Sequence, residues 1–377
     1  MKELDKYRIR RNFNPWPNYL FDKLTGLFIK HETNSIIENP GKILFVRNDH
    51  IGDMVYSTQV FRETKKIFPK TKISVIATRG NRTIIEKDKN VDKIIEIDLF
   101  WRRGIKGFLD YFKVLKELKK ERYDMGIDLR ASKLNIFFFL FMPRIKNRIA
   151  YYNVTGGKAF LTHPVFYEKQ VNVVYEYLNL INKALNVNRT NYMPEISTSK
   201  EDEQEVNELL VKNKKQKYFV ISPGATVNSK KWPEENFSEL VNRLHKKYPK
   251  HKIVMSGANS DKELLERLCN NKKYCIPLVN FNLRKMAVVL RGADAIVANN
   301  GAATDIGWVS GGKLVYLAGP VNLITDKPLK NTITLHHELP CYPCNWSKPC
   351  KKPHGQWCME LITVDEVMNA VDKFMKK

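Results

Sequence analysis

Three short loops and one cysteine-rich stretch hold the residues able to do chemistry. The first loop, Arg47-Asn48-Asp49-His50-Ile51-Gly52-Asp53, follows the apolar run ILFVR. Gly52 permits a tight strand-to-helix turn, and Asp53 falls in a first helical turn, where the macrodipole favours a carboxylate. Asp53 is therefore either a helix-starting residue or a base that takes a proton from an acceptor hydroxyl. The second loop runs from Ser222 through Gly224, Thr226 and Lys230 to Pro233. It sets backbone N–H groups, a hydroxyl and two ammonium groups just ahead of a helix, the parts of a phosphate cradle. It lacks the Walker spacing, so an ordinary βα loop is the competing reading. The third loop, Asn299-Asn300-Gly301-Ala302-Ala303-Thr304-Asp305, lets a ligand approach the backbone at another helix start.

The cysteine stretch is spaced Cys341-x2-Cys344-x5-Cys350-x7-Cys358, with Pro340, Pro343, Pro349 and Pro353 interspersed. Such spacing suits a tetrahedral zinc or iron site, and four thiolates would leave no open coordination position, so the metal would be structural. Free or partly oxidised thiols are the alternative. Cys269 and Cys275 stand apart from this cluster.

The elements that must hold these loops are legible as an alternation of short apolar strands with amphipathic helices. ILFVR, KISVIA, IIEID and YDMGIDL, with helical stretches between them, imply a parallel sheet covered on both faces. The rhythm restarts at YFVIS and continues through KIVMS, DAIVA and KLVYLA. With 377 residues, two α/β domains are expected: 41–190 and 200–362, joined by the polar stretch 187–200 and followed by a C-terminal helix over 363–377. Thr363 and Glu366 form a T-x-x-E capping box at the start of that helix. Two doubly wound sheets in tandem would face a central cleft, with ligands outside the carboxyl ends of the strands. Residues 1–40 are basic and aromatic, and Leu20, Leu24, Leu27 and Phe28 recur at helical spacing. This predicts an amphipathic helix that either packs on the first domain or lies on an anionic membrane surface.

A net charge of +24 favours an anionic partner. No run approaches the roughly 20 apolar residues of a membrane-spanning helix, and the first residues lack the apolar centre of a secretion signal. A cytoplasmic protein is the expectation, with peripheral contact at the inner membrane as an open alternative. Nucleic acid would also suit the charge, but aromatics are not interleaved with the basic runs as a stacking platform requires.

Taken in order, ILFVRNDHIGDMVYSTQVFRETKKIFP, YDMGIDLR, SPGATVNSKKWPEENFSELVNRL, SGANSDKELLERL and ADAIVANNGAATDIGWVSGGKLVYLAGP resemble glycosyltransferase family 9, the heptosyltransferases of lipopolysaccharide synthesis. The resemblance implies a GT-B architecture of two Rossmann-like domains, metal-independent inverting transfer, an ADP-sugar on the second domain and an anionic glycan or glycolipid acceptor on the first. It places the catalytic base on Asp53, next to Gly52. Lys230 falls on the lysine expected to hold the donor diphosphate, beside Gly224 and Thr226, and Asn259 on the position that touches the donor ribose. Asn299, Gly301 and Thr304 fall on a donor-contacting segment. There the family usually carries Asp and His where this chain has Asn299 and Thr304, which leaves the donor sugar open and admits a catalytically inactive sugar-nucleotide-binding relative. Arg47, Arg79, Arg82 and Arg130 are the acceptor contacts expected from the charge. Some members that modify autotransporters are similar in carrying a four-cysteine iron hairpin, which favours the metal reading of the cysteine stretch.

Overall fold

The computed structural model describes residues 16–29, 33, 35–98, 104–168, 171–210, 217–326, 328, 330–342, 344, 350 and 357–376. The chain divides into two compact units, Met1–Glu195 and Ile196–Lys377.

The first unit holds strands β1 (Lys42–Val46), β2 (Lys72–Ala77), β3 (Lys93–Glu96), β4 (Met125–Asp128), β5 (Asn147–Tyr151) and β6 (His163–Val165). Its helices are α1 (Trp16–Phe28), α2 (Ile51–Ile67), α3 (Gly104–Glu121), the short α4 (Lys133–Asn135), which runs on into a π-helical turn over Ile136–Phe141, and α5 (Val173–Leu185). The strands form one sheet in the order β3-β2-β1-β4-β5-β6, and every neighbouring pair is parallel. Ile43, Leu44, Phe45 and Val46 are wholly buried, as a strand covered by helices on both faces requires. The strand order reverses between β1 and β4, which opens a crevice at their carboxyl ends.

The second unit repeats this plan with β7 (Tyr218–Ser222), β8 (Lys252–Gly257), β9 (Cys275–Val279), β10 (Ala295–Asn299), β11 (Leu314–Leu317) and β12 (Thr332–Leu335). The order is β12-β11-β10-β7-β8-β9, again all parallel, so the switch point lies between β7 and β10. Helices α6 (Lys200–Leu210), α7 (Glu234–Lys247), α8 (Lys262–Cys269), α9 (Leu283–Gly292), α10 (Ala302–Val309), α11 (Leu323–Asp326), α12 (Trp357–Glu360) and α13 (Val364–Met375) complete it. Thr363 and Glu366 close the capping box on α13. This helix is no appendage, because Val364, Val367, Val371 and Phe374 join the core formed by Phe219, Ile221, Phe237 and Leu240.

Cys269 and Cys275 are paired in a disulfide that ties the end of α8 to the start of β9. Helix α1 rests on the first unit through Asn18 and Phe21, the latter against Phe160, whereas Leu20, Leu24, Leu27 and Phe28 remain exposed. The helix thus packs on the first unit with that apolar stripe on its outer side. Among the described residues, no helix is long and apolar enough to cross a membrane.

Candidate active site

In the first unit the β1 loop and the end of β4 meet at the switch point. Asp53 occupies the first turn of α2, and its side chain keeps 26% of its accessible surface. Its Oδ1 is held twice: Arg47 Nη2 lies 2.7 Å away, and the Tyr177 hydroxyl donates to it at 2.5 Å. Burial pushes the Tyr177 phenol well above its ordinary value, so it stays protonated and remains a donor. The described hydrogen bonds of the carboxylate converge on Oδ1, which leaves Oδ2 for a proton from outside.

Arg47 explains why the carboxylate can be held so firmly. Only 2% of its side chain is exposed, and its Nη1 donates to the Leu129 carbonyl at 2.7 Å. Its guanidinium carbon sits 4.2 Å from the centre of the Tyr177 ring, and Nη2 also donates to the Tyr177 hydroxyl. Burial alone disfavours its charge, but Asp49, Tyr177 and Asp53 together keep it cationic. The expectation of Arg47 as an acceptor contact is corrected here: the guanidinium turns into the protein and serves Asp53.

Asp49 lies beside this pair, 3.3 Å from Arg47 Nε and 3.7 Å from Arg130 Nε. Burial, opposed by Arg47, pushes its carboxyl up to about 7. Asp128 at the end of β4 is wholly buried and accepts from the Ser132 N–H and from Asn135, which also bonds Asn48. Burial raises its carboxyl to about 6. Of the remaining expected acceptor residues, Arg130 is part-exposed beside Asp49, while Arg79 and Arg82 both reach Glu96 from the loop after β2. Gly52 is buried within the first turn of α2.

In the second unit the loops after β7 and β10 are knitted together. The Lys230 ammonium donates to Asn300 Oδ1, and the Asn300 amide donates in turn to the Tyr316 hydroxyl at 2.7 Å. Gly224 is required locally, since a Cβ there would run into the Asp261 carboxylate. The space a Cβ would take at Gly301 is open, immediately before the first N–H groups of α10. Thr226 and Asn259 are exposed.

Asn299 and Thr304 are turned into the second unit. Asn299 is 1% exposed; its amide donates to the Pro223 carbonyl at 2.7 Å and its Oδ1 accepts from the Trp232 N–H at 3.2 Å. Thr304 is fully buried and donates to the Asn299 carbonyl at 2.7 Å. Asn299 thus braces the loop after β10 against the loop after β7, and Thr304 ties the start of α10 to the end of β10. Asn300, in the same loop but not singled out from the sequence, accepts from Lys230. Tyr177 was missed for another reason: it is distant from Asp53 in sequence, and no local spacing signals their contact.

Cys341, Cys344, Cys350 and Cys358 carry free thiols. Burial and, to a smaller degree, the other three sulfurs push the Cys358 thiol up to about 11. Among the described residues no group of three or more His, Cys, Asp or Glu side chains is arranged to hold a metal ion. The donor set is chemically apt for zinc or iron.

The family model for glycosyltransferase family 9 (heptosyltransferase) matches residues 111–354. Lipooligosaccharide heptosyltransferase 2 of Haemophilus ducreyi is 24% identical over 314 residues, which cover 76% of this chain and 86% of the relative. The structure of the ADP-heptose lipopolysaccharide heptosyltransferase II of Escherichia coli superposes with a TM-score of 0.73 at 18% identity, covering 89% of this chain and 98% of that one. A glycosyl transferase family 9 structure from Veillonella parvula gives 0.75 at 18% identity, with 90% and 99% covered.

Proposed function

The chain belongs to glycosyltransferase family 9, and on that premise we propose that it transfers a heptose from ADP-heptose to the core of a lipopolysaccharide or lipooligosaccharide, with inversion at the anomeric carbon. The donor is suggested by the Escherichia coli relative, whose name specifies ADP-heptose, and the acceptor by the relative from Haemophilus ducreyi. Asn299 and Thr304, where the family usually carries Asp and His, both hydrogen-bond within the second unit.

One observation carries the mechanism: a carboxylate at a sheet switch point with one oxygen clamped by Arg47 and Tyr177 and, among the described residues, no side-chain hydrogen bond to the other. In this reading the acceptor hydroxyl gives its proton to Asp53 Oδ2 as its oxygen bonds to the anomeric carbon. The bond from that carbon to the diphosphate oxygen breaks, and ADP departs with added negative charge. Lys230 and the N–H groups at the start of α10, opened by Gly301, stabilise the departing diphosphate, while Thr226 and Asn259 offer exposed polar contacts to the donor. Arg130, with Arg79 and Arg82, faces an anionic acceptor. No step passes through a metal, and the four cysteines take no part. The cytoplasm, where nucleotide-sugars are made, is the proposed site of action.

The test is transfer by the purified chain from ADP-heptose to a deacylated core acceptor, with product mass and anomeric configuration read by mass spectrometry and NMR. A product one heptose heavier, with the anomeric configuration opposite to the donor's, is expected. A product of retained configuration, or turnover with another sugar nucleotide but not with ADP-heptose, would overturn the proposal.

A further inference from the structure

In the parallel sheet of the first unit, the loops after β4 and β5 leave the same end of the sheet as the Asp53 loop, and helix α1 is bonded to both. Asn18, Phe21 and Asp22 fall at i, i+3 and i+4 and form the face that meets these loops. Asn18 is buried; its amide donates to the Val154 carbonyl at 3.2 Å, and its Oδ1 accepts from the Lys133 ammonium at 3.4 Å. The same ammonium lies 4.5 Å from the centre of the Phe21 ring. Asp22 Oδ1 accepts from the Gly157 N–H at 2.5 Å and from the Lys158 N–H at 3.1 Å. Gly156 and Gly157 have φ of +85° and +104°, and a Cβ on Gly156 would lie 3.2 Å from both the Asn18 carbonyl and Asp22 Oδ1. The loop after β5 can approach α1 this closely because glycine stands there.

From this contact, hydrogen bonds lead on to the loop that bears Asp53. Thr155 donates to the Ala131 carbonyl at 2.7 Å and accepts from the Lys133 N–H at 2.8 Å, gripping the loop after β4 on both sides of Ser132. Ala131 is left-handed, with φ of 55°, a conformation that a residue with a Cβ keeps only where its surroundings fix it. In the same loop the N–H groups of Arg130 and Ser132 donate to Asp128, and Asn135 bonds both Asp128 and Asn48, the neighbour of Arg47. The Arg130 side chain lies beside Asp49. The path from α1 to the Asp53 loop is thus continuous within one unit. Helix α1 presents a buried amide and a carboxylate to backbone groups of these loops, contacts that fix direction where apolar packing only fills space.

We infer that α1 is part of the acceptor site: Asn18 and Asp22 are positioning residues that hold the loops after β4 and β5, and through them Arg130 and the Asp53 loop, in the geometry that receives the acceptor. The inference rests on the proposed reaction for placing the acceptor at the first unit. It is tested on the full chain with Asn18→Ala, Asp22→Ala and Asp22→Asn, the last of which keeps an oxygen to accept both N–H groups. Transfer from ADP-heptose to the deacylated core is followed against acceptor concentration, with donor Kd and Tm measured on the same proteins. N18A and D22A should each raise the acceptor KM about tenfold while the donor Kd stays within about twofold, and D22N should bring KM back to within about threefold of wild type. By hydrogen exchange, amides of residues 129–135 should exchange faster in D22A, with those of the second unit's loops unchanged. An unaltered acceptor KM in N18A and D22A would overturn the inference. So would a loss of donor and acceptor affinity together, in step with Tm, the mark of a helix that only supports the fold. If D22A does not fold, N18A carries the test. Should wild type fail to transfer, the proposed reaction falls on that result alone, and unchanged exchange at 129–135 in D22A would then overturn the coupling from α1 separately.

Discussion

Replacing Tyr177 with Phe removes one hydroxyl from a buried site and leaves the ring, so its effect isolates the clamp on Asp53. The lost group donates to Asp53 Oδ1 at 2.5 Å and accepts from Arg47 Nη2. A hydrogen bond to a charged partner contributes about 1.5–3 kcal/mol. Arg47 still reaches the same oxygen at 2.7 Å in the variant, so the lower end applies. If that energy fixes the carboxylate for proton transfer, about 1.5 kcal/mol corresponds to roughly a tenfold fall in kcat. The donor, assigned by the proposed function to the second unit's loops, should keep its Kd within about twofold if Tyr177 acts only through Asp53. The assay is single-turnover transfer with the donor Kd from calorimetry, run on wild type, Y177F, D53N and the double variant. In the D53N background Y177F should slow transfer no further, because a clamp without its carboxylate has nothing to position. Additive losses, or a Kd that moves as much as kcat, would refute the positioning role and leave Tyr177 a packing residue.

Lys230→Met should lower kcat on the order of 10²–10³-fold and weaken ADP binding in calorimetry, with Asn300→Ala giving a smaller loss of the same kind. Asn299→Ala orphans the Pro223 carbonyl and the Trp232 N–H, so it should cost about 1–3 kcal/mol of stability by chemical denaturation while changing the donor Kd little. Asp49 predicts a pH effect with a definite sign. Its folded carboxyl titrates near 7 against an ordinary 3.8, so between these values the folded chain holds a proton that the unfolded chain has lost. Its contribution to stability is therefore full below about 4 and lost as pH rises to about 7. Asp49→Asn should raise Tm relative to wild type progressively across that window in a pH series; a constant difference would contradict the assignment. Asp128, raised to about 6, has the same sign and remains in both proteins, so it cancels.

Regular structure was legible because each strand is short, apolar and followed by a helix of different period. The boundary between units falls inside the polar stretch 187–200, where no apolar run could extend either core. Thr363 and Glu366 announced α13 because a capping box is wholly local. What escaped depended on how elements meet in space. Tyr177 meets Asp53 only because α5 packs on α2, and Cys269 pairs with Cys275 because a turn brings α8 back toward β9. Periodicity showed that α1 is amphipathic but not which face is turned inward, since Asn18 finds the Val154 carbonyl and its polar character gave no hint of burial. Arg47 misled for a related reason: a formal charge suggests solvent, and only the ring of Tyr177 with two nearby carboxylates makes burial tolerable.

The most direct measurement is single-turnover transfer by Asp53→Asn, with donor affinity determined on the same protein. Asparagine keeps the shape beside Arg47 and Tyr177 but cannot take the acceptor's proton. Transfer should slow by about 10²–10⁴-fold while the donor Kd stays within about twofold. Transfer at the wild-type rate, or a loss traced entirely to weaker donor binding, would contradict Asp53 as the base.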